Sequence, residues 1–161
     1  MRLGTVFQHN TGKALNASNK TGKPLTYITT SNLYWDYFVL DNLKTMLFTD
    51  SELEKCTVQQ GDILVCEGGD IGRAAIWDNS ELIRIQNHIH RLRAYAPVCT
   101  RFFYFLFYLY KEAGWIDGKG IAIQGLSSGA IHNLLFPLPP LDEQQRIVIA
   151  IDYSFSMIKM L

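Results

Sequence analysis

The chain has 161 residues, 48% of them hydrophobic and 19% charged, which suffices for one domain with a real core and leaves little room for two. That balance excludes an intrinsically disordered chain. With 15 Lys and Arg against 15 Asp and Glu the net charge is zero, so bulk electrostatics alone cannot hold a partner, because neutralising phosphates takes a basic excess.

In chain order, Leu3 to Phe7 reads as a short strand. His9 to Pro24, rich in Asn, Thr, Gly and Lys, reads as a loop. Leu25 to Thr30, with β-branched and aromatic residues, is a strand, and Ser31 to Asp36 a polar-aromatic loop. Ser51 caps a short helix or turn, with Glu54 at capping-box spacing. Gly61-Asp62 is a turn and Ile63 to Cys66 a buried strand. Gly68-Gly69-Asp70 turns the chain again, where glycine tolerates a positive φ. Arg73 to Trp77 is the next strand, Asp78-Asn79-Ser80 a turn, and Ile89 to Ala94 a further strand. Together these predict a compact antiparallel sheet.

Thr100 to Lys111 predicts a helix with Thr100 as its N-cap. Gly114 and Gly118 break the chain after it. Ser127 to Leu134 is a short helix capped by Ser127 or Ser128. Pro137, Pro139 and Pro140 then fix an extended linker. A last helix starts near Leu141, with Asp142 and Glu143 in its first turn, where they favour the dipole. Ile147, Ile151, Phe155 and Ile158 recur at helical spacing along it. A helix this apolar, held off the body by a proline break, needs a partner surface or must fold back on its own domain.

Charge is unevenly spread. Met1 to Thr30 and Leu82 to Lys111 carry only basic residues, whereas acids dominate Asp36 to Glu81. These blocks either build one positive face or pair with each other across the fold. The 3 cysteines include no CxxC and read as reduced thiols in a cytoplasmic protein. Met1 to Thr30 lacks the apolar core of a signal peptide. The strongest apolar run, Phe102 to Tyr110, is about half the length a membrane helix needs, so no membrane partner is expected.

Motifs for chemistry of its own are missing from the sequence. It has neither GxGxxG nor a Walker A pattern. His88 and His90 share a strand face without Cys, Asp or Glu at ligand spacing, which favours polar strand residues over a metal pair. His9 and His132 stand isolated. Ser127-Ser128-Gly129 is not a nucleophile elbow. Asp62 and Glu67 flank one strand as nuclease carboxylates do, but no Lys follows Glu67 two residues on. The remaining polar and aromatic loop residues are Thr29, Thr30, Ser31, Asn32, Tyr34, Asp70, Arg73, Gln86, Asn87 and Gln124. Arg pairs with guanine edges, and Asn and Gln with adenine edges, so such loops on a rigid sheet suit base readout. They suit an ordinary solvated surface equally.

Phe136-Pro137-Leu138-Pro139-Pro140-Leu141-Asp142-Glu143-Gln144-Gln145-Arg146-Ile147-Val148 closely resembles the hallmark of target-recognition domains in specificity subunits of type I restriction-modification systems. There, such a stretch joins the recognition domain to a long helix. Gly61-Asp62-Ile63-Leu64 and Gly69 to Trp77 resemble that family's hairpin, and Gln86 to Arg93 its following strand. Gly120 to Leu126 resembles a loop of the family, and Leu3-Gly4 with Thr11-Gly12-Lys13 its opening.

The resemblance implies an α/β (mixed α+β) fold, with a twisted, largely antiparallel sheet, a few helices and a projecting C-terminal helix. It implies a recognition domain over 1–136, a proline-rich linker over 137–141 and the start of a dimerisation helix over 142–161. The implied function is reading one half of a bipartite site in double-stranded DNA, without a catalytic site or cofactor in this chain. Modification subunits would supply adenine methylation with S-adenosylmethionine, and a restriction subunit ATP-driven cleavage. Lys13, Thr30, Ser31, Asn32, Tyr34, Gly69, Asp70, Arg73, Gln86, Asn87, His88 and Gln124 are the expected DNA-facing residues. Ile147, Ile151, Phe155 and Ile158 are the expected partner or self-association stripe. The alternatives are a recognition domain of a related type II restriction-methylation enzyme and, from another class, a metal-dependent nuclease domain.

Overall fold

The structure, a computed structural model, describes residues 1–16, 20–116 and 126–159. Among the described residues, ten strands and four helices follow a 3-10 turn at Leu3–Thr5. They are β1 (Phe7–Thr11), β2 (Lys23–Ile28), β3 (Leu33–Tyr34), β4 (Tyr37–Phe38), β5 (Lys44–Phe48), α1 (Asp50–Cys56), β6 (Thr57–Val58) and β7 (Ile63–Cys66). Then come β8 (Ala74–Ile76), β9 (Ile83–Ile85), β10 (Ile89–Ala94), α2 (Thr100–Glu112), α3 (Ser128–Asn133) and α4 (Leu141–Lys159).

The run Ile63 to Cys66 has no polar alternation because β7 is buried on both faces. It sits inside a four-stranded antiparallel sheet ordered β1-β10-β7-β8. On one face Ile63, Val65, Ala74 and Leu92 pack with Phe103, Phe107 and Tyr110 of α2. On the other face Leu64, Cys66, Ala75 and Ile89 meet Ile28, Val58, Ile83 and Ile85. Those four belong to a second sheet, ordered β5-β2-β9-β6. Its outer side is closed by Tyr27, Phe48 and Cys56, the last from α1. The fold is therefore layered helix, sheet, sheet, helix, with period-two side-chain alternation assigning each strand residue to one layer.

The fold is mixed α/β, as expected, with sheets that are antiparallel apart from one pair. That pair is β2 with β9, which run parallel through Tyr27 and Arg84. Several expectations are corrected in detail. Leu3 to Thr5 is a 3-10 turn and the strand runs Phe7–Thr11, because it pairs with β10 from Phe7↔Ala94 to Thr11↔His90. The loop after Thr30 contains a hairpin, β3 against β4. The N-cap of α1 is Thr49 with Glu52 closing the capping box, two residues before the expected pair. Cys99, not Thr100, caps α2.

The proline segment does not hold the last helix away from the body. Leu3 N–H donates to Leu134 O at 2.8 Å and Phe136 N–H to Met1 O at 2.8 Å, so the residues just ahead of the prolines pair with the chain's opening residues. Phe136 is sealed among Phe103, Phe107 and Tyr110. Gln144, 3% exposed, donates to Pro139 O at 2.9 Å and accepts from Cys99 N–H at 3.0 Å. One buried amide thus fixes the start of α4 to the start of α2, satisfying both its donor and acceptor ends. Ile147 and Val148 continue the contact into the main core.

Candidate nucleic-acid interface

The β3–β4 hairpin turns at Trp35-Asp36, with Asp36 at φ 67, a left-handed value that Asp tolerates better than most residues. The turn brings Tyr34 and Tyr37 side by side, their rings stacked 5.1 Å apart at 8°. Both reach solvent, at 36% and 56% exposure. Arg73, at the foot of the Gly68-to-Gly72 turn, lays its guanidinium 5.0 Å from the Tyr34 ring centroid. Its Nη2 donates to Thr30 O at 2.7 Å, and Asp70 stands 3.8 Å from Nη1. Asp70 also accepts from Lys111 Nζ of α2 at 2.9 Å. Gly69 and Gly72 supply the positive φ values, 73 and 84, that the turn requires. A Cβ at Gly72 would lie 2.4 Å from Ile116 Cδ1, so the turn is pressed against the chain after α2.

The β9–β10 turn completes the rim. Glu67 N–H donates to His88 O at 2.9 Å and Asn87 N–H to Lys13 O at 3.0 Å. A Cβ at Gly69 would reach Thr30 Oγ1 at 4.0 Å, and one at Gly68 the His88 ring at 3.8 Å. The structure therefore gathers Thr30, Ser31, Tyr34, Gly69, Asp70, Arg73, Asn87 and His88 into one rim, with Gln86 beside them. Ser31, Tyr34, Gly69 and His88 are exposed, and Gln86 and Asn87 half-buried. Tyr37 belongs to the rim and sequence reasoning missed it. Its signal was the Tyr34-Trp35-Asp36-Tyr37 stretch, in which a two-residue turn sets both tyrosines on one face.

Two expected residues are not part of that surface, Lys13 and Asn32. Lys13 turns inward to Glu52 at 2.6 Å and Leu47 O at 2.7 Å, which holds the Glu52 carboxyl down at about 2. Its side chain is 9% exposed, so a phosphate would have to displace that pair. Asn32 is buried, with Oδ1 accepting from Thr29 N–H at 2.9 Å and Nδ2 donating to Val39 O at 3.0 Å. It shapes the loop instead of facing out. Gln124 lies outside the described residues. Arg73, too, spends its fork on Thr30, Asp70 and Tyr34, which makes it the brace of the rim.

Elsewhere the blocks of charge pair across the fold. Lys13 meets Glu52, Lys23 meets Asp50, Arg93 meets Asp62, Arg101 meets Asp36 and Lys111 meets Asp70. These pairs match basic residues of the two segments flanking the acidic stretch with acids inside it. Asp62 accepts from Arg93 Nε at 2.8 Å and Nη2 at 2.7 Å and from Gln59 N–H at 2.9 Å. It is thus committed to the fold, which removes one of the two carboxylates the nuclease alternative needed. His9 is not isolated: its Nε2 lies 2.8 Å from His90 Nδ1, and His90 Nε2 donates to Leu126 O at 2.6 Å. Burial, then the charges of His90, His132 and Arg91, push the His9 imidazole down to about 4. Among the described residues no group of three or more His, Cys, Asp or Glu is arranged to hold a metal ion, and no helix is long and apolar enough to cross a membrane.

The expected partner stripe divides along α4. Ile147 and Ile151 are half-buried, while Phe155 and Ile158 are 43% and 64% exposed. Ile147, Ile151 and Phe155 line an open apolar groove of about 680 Å³ with Phe102, Phe105 and Leu106 of α2. Ile149, Tyr153, Met157 and Ile158 are exposed along α4.

These features define a mixed α/β domain that presents a braced polar-aromatic rim and carries an apolar terminal helix. Residues 1–159 match the model of the type I restriction modification DNA specificity domain, and the chain belongs to that family. A candidate type I restriction enzyme specificity subunit of Haemophilus influenzae is 30% identical over 113 residues, 66% of this chain and 27% of that protein. The HsdS subunit of Thermoanaerobacter tengcongensis shares the fold at a TM-score of 0.73 and 17% identity, over 99% of this chain and 37% of that one. A chain from a type I restriction-modification assembly matches at 0.72 and 20% identity, over 99% and 38%. The specificity subunit of M. genitalium matches at 0.57 and 17% identity, over 95% and 37%. The chain thus spans well under half the length of each of these relatives.

Proposed function

We propose that this domain reads one half of a bipartite double-stranded DNA site for a type I restriction-modification assembly. The family membership supports the recognition role. The observation that carries the location is the rim itself: Ser31, Tyr34, Tyr37, Gly69 and His88 face outward, while Arg73 ties Thr30 and Tyr34 to its own turn and Glu67 N–H joins that turn to His88. A rigid, exposed set of mixed donors, acceptors and apolar edges is what base-edge readout requires. The pairing of basic residues with acids inside the fold fits a reader whose affinity rests on more than its own charge. Methylation and cleavage would be the work of separate modification and restriction subunits, with the exposed face of α4 offered to helices of its assembly.

Substituting Tyr37→Ala in the assembled enzyme tests the location. Affinity for the cognate duplex should fall by about 1–3 kcal/mol, the value of one good base contact. A fluorescence-anisotropy titration that finds wild-type affinity would place the interface elsewhere.

A further inference from the structure

Arg101, in the first turn of α2, joins three segments that are distant in sequence. Its Nη1 donates to Asp36 in the β3–β4 turn, and its Nη2 to Asp152 of α4 at 3.2 Å. Its guanidinium lies 4.9 Å from the Tyr104 ring centroid and 4.8 Å from that of Phe105. Trp35, beside Asp36, packs edge-on against Tyr104 and Tyr108 at 6.0 and 5.0 Å. Phe105 stacks with Phe155 of α4 at 6.2 Å. These groups wall a cavity of about 530 Å³ where the hairpin, α2 and α4 meet.

We infer that Arg101 is a positioning residue that couples the stance of α4 to the stance of the β3–β4 hairpin, and so to Tyr34 and Tyr37. A planar guanidinium can serve two carboxylates at once while resting on aromatic faces, which a lysine ammonium cannot do with the same geometry. Asp36 holds the left-handed backbone angle of the hairpin turn, so the residue Arg101 grips is the one that sets the tyrosine stack. Asp152 sits between Ile151 and Tyr153 on the helix with the exposed apolar face, so anything that rotates or shifts α4 acts on the same guanidinium. Two carboxylates form no ion pair with each other; their link runs through Arg101. Coupling of this kind is reciprocal: a change at the helix must alter the hairpin as much as the converse. The coupling stands on this geometry alone; only its consequence for DNA rests on the proposed role of the tyrosines.

Hydrogen exchange on the full chain tests it. Asp152→Asn should speed exchange of the hairpin amides over 34–38 by about 1.5- to fivefold, the range that one partly exposed ion pair supports. Asp36→Asn should speed exchange in α4 around residue 152 by a similar factor. Both cross-effects should disappear in an Arg101→Gln background and be partly retained with Arg101→Lys. In the assembled enzyme, a Tyr34→Ala/Tyr37→Ala variant with wild-type DNA affinity would defeat the recognition reading, whereas the exchange data judge the coupling separately. Hairpin exchange unchanged by Asp152→Asn, or a cross-effect that survives Arg101→Gln at full size, would overturn the coupling.

Discussion

Two aromatic clusters in this molecule have similar composition and opposite situations. Phe103, Phe107, Tyr110 and Phe136 are closed in by the first sheet and by Leu3, Ile131 and Leu134, each under a tenth exposed. Tyr34 and Tyr37 stand open on a two-residue turn, supported from one side by Arg73. Helical spacing produces the first cluster, since residues 103, 107 and 110 fall on one face of α2. Backbone turning produces the second, since only the hairpin register sets the two tyrosines together. The first is therefore a source of stability, and the second a surface whose order comes from its braces.

The largest effect that separates the clusters is on folding. Phe103→Ala removes a fully buried ring from the centre of the α2 contact and should lower unfolding free energy by about 3–5 kcal/mol in urea titrations. A loss below about 1 kcal/mol would mean that the cluster collapses around the cavity. By contrast, Tyr37→Ala should move stability by no more than about 0.5 kcal/mol.

Acid response is a smaller effect that reports on the closed side. His9 falls from an ordinary value of 6.5 to about 4, chiefly through burial, and burial also lowers His90. Both rings therefore bind protons more weakly folded than unfolded. Their contribution is complete above the unfolded value and is lost as pH drops from there through the folded value. Thermal melts between pH 7 and pH 4.5 should show that decline, and His9→Gln, which preserves a donor to His90, should flatten it. Equal acid slopes for the two proteins would exclude His9 as its source.

Legibility in the sequence followed the same divide. β7 and β10 match their expected limits, β7 because it is a continuous apolar run and β10 because Ile89, Leu92 and Ala94 frame it between a turn and the Pro97 segment. β5 escaped because it is an edge strand mixing Lys44 and Thr45 with Met46 and Leu47, and β9 because three residues give no period to read. The cap of α1 could be read as Ser51 with Glu54 or as Thr49 with Glu52, equal in spacing. Lys13, thirty-odd residues upstream, binds Glu52, a tertiary contact that local spacing does not encode. The rim was harder still. Ser31 and Asn32 are adjacent polar loop residues, yet one faces solvent and the other caps the loop from inside. Lys13 is among the DNA-facing residues expected from the sequence, and the acid that pairs with it comes from α1. The PPLDEQ motif was legible as a family mark before its physical job was. Gln144 holds the joint between α2 and α4, a role that requires both helices to be in place.

The central claim is that the rim reads bases, and the most direct measurement is the methylation pattern written by the assembled enzyme. Single alanine substitutions at Ser31, Tyr37 and His88, each exposed, should leave the assembly intact. Sequencing modified adenines genome-wide should then show one half of the recognised site becoming degenerate at one or more positions while the other half stays unchanged. If all three variants, present at wild-type levels, methylate the wild-type sequence with undiminished selectivity, the rim is not the reading surface.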